Sequence, residues 1–293
     1  MSSRQKIVIV GAGGRLGAAL LREYSTDFEV GGFTHAQLDI GDAEELREKL
    51  GGLAFDVLIN CAAQTNVDRC ESYRDEAFAL NAEAPRVLAE IANANGAKLI
   101  HISTDYVFDG QATQPYTEED EARPISVYGE SKREGERLVL QASARHLVAR
   151  VSWVFGPDRP SFIDGFLQKA REHEEVAAVA DKFSTPTYTL DLAQMLKPFF
   201  RQDSEGGLVH FANAGECSWQ EYAQWALDSC HELGLPMKAK TVEPLTLADM
   251  KSFVARRPPY TVLSTNKFSQ VTGEMPRSWQ DAVADYVRGH SAQ

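Results

Sequence analysis

An unbroken apolar run, Lys6-Ile-Val-Ile-Val10, passes directly into Gly11-Ala-Gly-Gly-Arg-Leu-Gly17, and helix-forming residues continue to Tyr24. A continuous apolar segment of strand length suits a strand covered on both faces, as in the middle of a parallel sheet. The glycines fall in a Gly-x-x-Gly-x-x-Gly pattern. Small residues at Gly11, Gly14 and Gly17 permit a tight turn, bring the backbone close to a pyrophosphate and let the helix pack against its strand. The helix N-terminus after the turn favours a phosphate. A dinucleotide site built on a Rossmann-type strand, turn and helix is therefore expected.

Further strands are predicted at Phe28 to Phe33, Phe55 to Cys61, Ala97 to Ser103 and Leu147 to Val151, with helices near Ala43 to Leu50 and Asn81 to Asn95 between them. Such alternation specifies an α/β fold, a doubly wound and mostly parallel Rossmann-type sheet. Residues 1–156 are read as the NAD(P)-binding domain, to which 186–213 returns through Asp191 to Phe200 and Leu208 to Phe211. Residues 157–293 are read as a smaller C-terminal α/β substrate domain. Its elements are helices near Phe162 to His173, Trp219 to Leu233 and Trp279 to Val287, with a short strand at Val176 to Val179.

The residue type after the second strand bears on the cofactor. An acid there would accept the ribose 2′-hydroxyl of NAD and repel a 2′-phosphate. This chain has Thr34 and His35, with Arg15 in the glycine turn, which favours NADP(H) and leaves NAD(H) possible. Arg15 is equally readable as a solvated surface residue. Asp39 could reach an adenine amino group or cap the following helix. Ala62, Ala63, Gln64 and Thr65 leave the third strand with mostly small side chains, suited either to a flat ring and its ribose or to a tight turn.

The strand ending in Ser103 and Thr104 delivers hydroxyls to its C-terminal end, where open α/β sheets hold ligands. Four residues apart on a helix, Tyr128 and Lys132 would stand side by side. A free phenol titrates near roughly 10, and an adjacent ammonium would bring it down, making a usable proton donor. By itself the pair is more often a solvated helix face; the Ser-Thr strand end and the glycine turn favour chemistry. Trp153 follows the fifth strand, positioned for a sugar ring or for the core. Arg256 and Arg257, beside two prolines, form a compact basic feature, with a diphosphate clamp preferred over surface solvation.

The net charge of −12 argues against general nucleic-acid binding. Cys61, Cys70, Cys217 and Cys230 lack metal-ligand spacing and suggest free thiols, with no metal site. The first residues pass quickly into a strand, and no apolar run reaches membrane length, so a cytoplasmic enzyme is expected, away from membranes.

The motifs resemble the extended short-chain dehydrogenase/reductases, and among them the dTDP-4-dehydrorhamnose reductase branch, over nearly the whole length. The resemblance rests on Gly11 to Gly17, Leu38-Asp-Ile40, Asn60-Cys-Ala-Ala-Gln-Thr65, Ser103-Thr-Asp-Tyr-Val-Phe-Asp-Gly110, Tyr128-Gly-Glu-Ser-Lys132, Arg150-Val-Ser-Trp-Val-Phe155 and Ala255-Arg-Arg-Pro258. It implies that Tyr128 donates the proton, Lys132 binds the nicotinamide ribose and supports Tyr128, and Thr104 orients the carbonyl. It implies cofactor contacts from Gly14, Arg15, Leu16, Asp39, Ile40 and Ala63 to Thr65, and substrate contacts from Thr104, Asp105 and Trp153. The implied partner is a small nucleotide sugar whose C4 ketone is reduced, with a homodimer possible. One departure is evident: where the family reads Asp-Gln-x-Gly-x-Pro-Thr, this chain has Asp181-Lys-Phe-Ser-Thr-Pro-Thr187.

Two other functions share the fold. A sugar-nucleotide dehydratase or epimerase would keep the glycines and Tyr128-x-x-x-Lys132, but dehydratases usually place a Glu after Thr-Asp, where Tyr106 stands. A regulatory subunit like that of methionine adenosyltransferase would bind a partner without turnover.

Overall fold

Alternate residues of the apolar runs part to opposite faces of a single sheet. In the computed structural model, which describes residues 4–290, strands β1 (Lys6–Val10), β2 (Glu29–Phe33), β3 (Val57–Asn60), β4 (Lys98–Thr104) and β5 (Leu147–Val151) are joined by an edge strand, Gly207–Phe211. All six are parallel, in the order edge strand, β5, β4, β3, β1, β2. Strand order reverses around β1, which has β2 on one side and β3 on the other. At such a switch point a crevice opens beyond the strand ends.

Helices cover both faces. Ile7, Ile9, Val57, Ile59, Ile100 and Ala149 are buried with residues of α1 (Arg15–Tyr24) and of the helix Thr189–Leu196. Val8, Val10, Leu58, Leu99 and Val148 instead meet α2 (Ala43–Gly51) and the helices Ala84–Ala94 and Val127–Ala142. The fold is a doubly wound, Rossmann-type α/β arrangement. Asp42 caps α2 by accepting from the Glu44 and Glu45 amides, and Ser126 caps the helix Val127–Ala142 through the Gly129 amide.

A second apolar cluster is built by the helices Phe162–Glu172, Trp219–Glu232 and Trp279–His290 with a parallel strand pair, Val176–Val179 and Val242–Leu245. Ser218 and Glu221 form a capping box that starts the middle helix. The partner strand Val242–Leu245 carries Pro244 and lacks an alternating pattern. The helix Asn266–Thr272 packs Phe268 under the large sheet, where burying a side chain of this size contributes about 1.5–3 kcal/mol.

One helical boundary differs from the sequence expectation. The helix expected to begin at Asn81 starts earlier, at Arg74, and passes through a π-helical turn, Ala79–Glu83, before continuing as Ala84–Ala94. Asn81 sits inside the widened turn and caps nothing. Its side chain accepts from the Gln64 amide at 2.8 Å and donates to the Gln64 carbonyl and to Ser131 Oγ, each at 3.0 Å. Such widened single turns inside α-helices are frequent at functional sites.

Candidate active site

The crevice at the strand ends is a cleft of about 1640 Å³. Its floor is the glycine turn. Gly11 adopts φ +83°, and a Cβ there would stand 2.7 Å from the Ala62 amide nitrogen. Gly17 does not line the cleft: a Cβ on it would collide with the Gly11 carbonyl at 2.2 Å, so it serves the packing of α1 against the turn. Gly11, Gly14, Arg15 and Leu16 line the cleft, followed by Thr34, His35, Asp39 and Ile40 beyond β2 and Ala62, Ala63, Gln64 and Thr65 beyond β3.

Hydrogen bonds decide between the open roles of several residues. Asp39 is not a helix cap; Asp42 holds that position, and Asp39 turns its carboxylate onto the Gly41 amide at 2.9 Å beside the cleft. Although Arg15 lines the cleft, its guanidinium donates to the backbone carbonyls of Val154 and Arg159 at 3.2 and 3.1 Å. Arg159, which sequence reasoning passed over, reaches back to the Gly13 carbonyl at 3.0 Å and also lines the cleft.

Thr104, Asp105, Tyr128, Lys132 and Trp153 meet at the other end of the cleft. The helix carrying Tyr128 can lie this close because Gly129 has no side chain; a Cβ would strike the Tyr106 carbonyl at 2.2 Å. Lys132 is buried, its Nζ donating to the Ile102 carbonyl at 2.7 Å and lying 3.3 Å from His101 Nε2. Burial brings its ammonium down to about 8, opposed chiefly by the charge of Glu136. His101 is held neutral by burial and by Lys132, with Asn60 Nδ2 3.1 Å from its other ring nitrogen.

Here the electrostatics depart from expectation. Burial raises the Tyr128 phenol above its ordinary value, and the principal opposing influence is a hydrogen bond with Thr104 rather than the charge of Lys132. Lys132 is directed at the Ile102 carbonyl near the C-terminal end of β4 and is not among the groups that shift Tyr128. The phenol is protonated at neutral pH, and burial makes it a weaker acid than a free one. The Thr104 hydroxyl donates to Asp105 Oδ1 at 3.1 Å and accepts from the Tyr106 amide at 3.2 Å.

Beneath this group lies a buried ion pair with no counterpart in the sequence reading. Arg150 on β5 grips Glu136 through two bonds of 2.8 and 2.7 Å, and Ser103 Oγ donates to the same carboxylate at 2.6 Å. Glu136 stands one helical turn beyond Lys132 on the same helix face, the signal that could have found it. Arg257 is not in the cleft. Its guanidinium forms an ion pair with Asp68 at 2.8 Å and lies over the Phe253 ring, while Arg256 is exposed. Trp153 takes φ +40°, rare for a bulky residue, and among the described residues its Nε1 is buried without a partner.

All four cysteines are free thiols, and Cys61, at the cleft, is pushed up to about 12 by burial. Among the described residues no group of His, Cys, Asp and Glu could hold a metal ion, and no helix is long and apolar enough to cross a membrane.

Comparison with known proteins agrees across sequence and structure. The family model described as the RmlD substrate binding domain matches residues 5–291. A spore coat polysaccharide biosynthesis protein of Bacillus subtilis is 35% identical, with 98% of each chain covered. A dTDP-4-dehydrorhamnose reductase of Aggregatibacter actinomycetemcomitans is 33% identical over 95% of this chain and 97% of its own. The crystal structure of a dTDP-4-dehydrorhamnose reductase from Bacillus anthracis, in complex with NADP, superposes with a TM-score of 0.91 at 30% identity, covering 98% of this chain and 99% of that one.

Proposed function

The chain belongs to the RmlD substrate binding domain family, and from that membership we propose that it reduces the C4 ketone of a nucleotide-linked 6-deoxy-4-ketohexose, converting dTDP-4-dehydro-L-rhamnose to dTDP-L-rhamnose with NADPH. The observation that carries this reading is the convergence of the glycine turn, Tyr128, Lys132 and Thr104 on one cleft.

The cleft fits a dinucleotide. At about 1640 Å³ it exceeds the usual span of small-molecule sites, roughly 300–1,000 Å³, leaving room for cofactor and sugar together. The close approach of Gly11 to Ala62 clears space at the turn. Gly14, Leu16 and the first turn of α1 would hold the pyrophosphate, Asp39 and Ile40 the adenosine end, and Ala62 to Thr65 with Lys132 the nicotinamide ribose. Thr34 and His35, with no acid among them, leave room for a 2′-phosphate. NADPH, when bound, supplies the hydride.

The residues of the chain do the rest. Tyr128 gives its proton to the ketone oxygen, and burial keeps that proton in place until the ketone takes it. Of the three donors on Lys132, one is fixed on the Ile102 carbonyl, which aims the others and leaves a proton for a ribose hydroxyl. Thr104, tied to Asp105, keeps the phenol and the ketone in register. Trp153 and Asp105 border the sugar. Residues 157–293, apart from 186–213 and the helix Asn266–Thr272 that packs under the large sheet, serve as the substrate lobe. A homodimer, as the resemblance allows, is compatible with the reaction. The nucleotide sugar is the expected partner, in the cytoplasm.

Tyr106 at the place where a dehydratase carries Glu supports reduction over elimination. The test is loss of reduced-cofactor absorbance with a panel of nucleotide-linked 4-ketosugars. One NADPH should be consumed per sugar, with better efficiency than NADH. Regeneration of the cofactor during turnover would make the protein a dehydratase or epimerase, and higher efficiency with NADH would reverse the cofactor preference. Silence across the panel, with tight capture of a second enzyme, would favour a regulatory subunit.

A further inference from the structure

Of the two departures from the family pattern in the segment 181–187, Ser184 touches the Asp105 carboxylate and Lys182 acts on it through charge. Ser184 Oγ lies 3.2 Å from Asp105 Oδ2, and Thr261 Oγ1 donates to that oxygen at 2.5 Å. Lys182, the other departure, is wholly buried, donates from Nζ to the Pro258 carbonyl at 2.6 Å and acts on Asp105 through its charge. Its ammonium is enclosed by rings, 5.0 Å from the centroid of Tyr106 and 5.9 Å from those of Trp153 and Trp219. A buried ammonium persists only where carbonyls, π faces or an anion replace its water. Here the Pro258 carbonyl and the ring faces are in contact with it, and the Asp105 carboxylate acts on it through charge without forming an ion pair.

Asp105 in turn determines what Thr104 can do. A hydroxyl has one proton to donate and two lone pairs. Thr104 gives its proton to Asp105 Oδ1, accepts from the Tyr106 amide and hydrogen-bonds with Tyr128. A protonated Asp105 would compete as a donor, and Thr104 would lose the acceptor that sets its rotamer. We propose that Lys182 is a positioning residue for the reduction: its ammonium, held behind Trp153 and Tyr106, keeps Asp105 a carboxylate and thereby fixes Thr104 against Tyr128. The inference rests on the reductase reading.

Other charged groups close by balance one another. Lys182 acts on Asp105, Arg257 is paired with Asp68, and the Tyr106 phenol is within electrostatic reach of Asp105, Arg257 and Asp68. Burial drives the Asp105 carboxyl up, while Lys182 and the Thr261, Thr104 and Ser184 hydroxyls pull it back. Removing the ammonium therefore leaves burial less opposed. Activity that needs the carboxylate is then lost at a higher pH as the solution is acidified, so the acid limb of the pH profile moves upward.

The test compares Lys182→Gln, which keeps a donor for Pro258 without charge, with Lys182→Arg, which keeps the charge. Asp105 is followed by carboxyl carbon-13 NMR in the full chain labelled at aspartate, its resonance identified with Asp105→Asn. In Lys182→Gln the Asp105 titration and the acid limb of kcat/KM should both rise by about one pH unit or more, which is roughly tenfold in kcat/KM at a fixed pH below the limb. NADPH affinity should be unchanged, and Lys182→Arg should restore both midpoints. If Asp105 titrates alike with and without the charge, the proposal falls whatever the substrate. If the titration moves and the wild-type protein reduces no 4-ketosugar, the link to this reaction falls with the reductase reading. Should the Gln variant fail to fold, Ser184→Ala must raise the Asp105 midpoint in the same direction and Lys182→Arg must leave it in place, or the proposal is overturned.

Discussion

Replacing Glu136 with Gln should destabilise this protein far more than the loss of one hydrogen bond. The carboxylate and the Arg150 guanidinium are each only 5% exposed, so both charges have been taken out of water and depend on one another. Two bonds of 2.8 and 2.7 Å join them, Ser103 adds a third, and the guanidinium also lies 4.9 Å from the Phe108 ring. Gln keeps the shape and removes the charge, leaving Arg150 buried without its counterion. Breaking such a pair on one side costs about 3–5 kcal/mol. For 293 residues at about 2.1 cal/mol/K each, unfolding entropy near the midpoint is about 0.6 kcal/mol/K, so Tm should fall by roughly 5–8 °C. Replacing both partners by apolar residues, Glu136→Met with Arg150→Leu, should recover most of that loss, because no orphaned charge remains. Differential scanning calorimetry reads both variants. A single-variant drop of less than about 1 °C, or a double variant less stable than the single one, would refute the argument that the pair's desolvation dominates. The single variant should also lose activity near neutral pH, since the Glu136 charge opposes the burial that brings Lys132 down to about 8.

Tyr128→Phe keeps the edge-on packing against Tyr106 and removes only the hydroxyl, so kcat should fall about 10²–10⁴-fold while NADPH affinity is retained; survival of more than a tenth of the activity would remove Tyr128 from the proton transfer. His146 is buried and brought down to about 4 chiefly by burial, below its unfolded value near 6.5, so its contribution to stability is complete above pH 6.5 and is lost as the pH falls through about 4. His146→Gln should flatten urea-measured stability over that window, and an unchanged acid slope would count against the assignment. Arg257→Ala breaks the pair with Asp68 and should loosen the Val254 and Ala255 amides that the same carboxylate holds. Because Arg257 does not line the cleft, KM for the nucleotide sugar should change less than thermal stability, and a KM rise above about tenfold with Tm unchanged would restore the diphosphate clamp.

The sheet could be read from the sequence because its information is local. A run such as Lys6 to Val10 is apolar at every position because both faces of the strand are covered, and the glycines that follow are needed within a few residues of one another. The spacing of Tyr128 and Lys132 was legible for the same reason: one helix carries both. What escaped was pairing across the chain. Nothing near Arg15 announces the carbonyls of Val154 and Arg159, and nothing near Arg257 announces Asp68. Periodicity fixes which way a side chain points; the residue it meets depends on how elements far apart in sequence are stacked.

The same limit explains why the neighbour of Tyr128 was misjudged. Sequence spacing placed an ammonium beside the phenol, and Coulomb's law then promised a lowered value. The fold places the Ile102 carbonyl and His101 at the end of the Lys132 side chain and surrounds Tyr128 with Tyr106, Val127 and Cys70. Desolvation then outweighs the charge, since removing water acts on the phenol from all sides while the ammonium is directed elsewhere. The consequence for the reaction is that the buried phenol carries its proton at neutral pH but is a weaker acid than a free one, so it gives the proton up only as the ketone oxygen gains charge from the hydride.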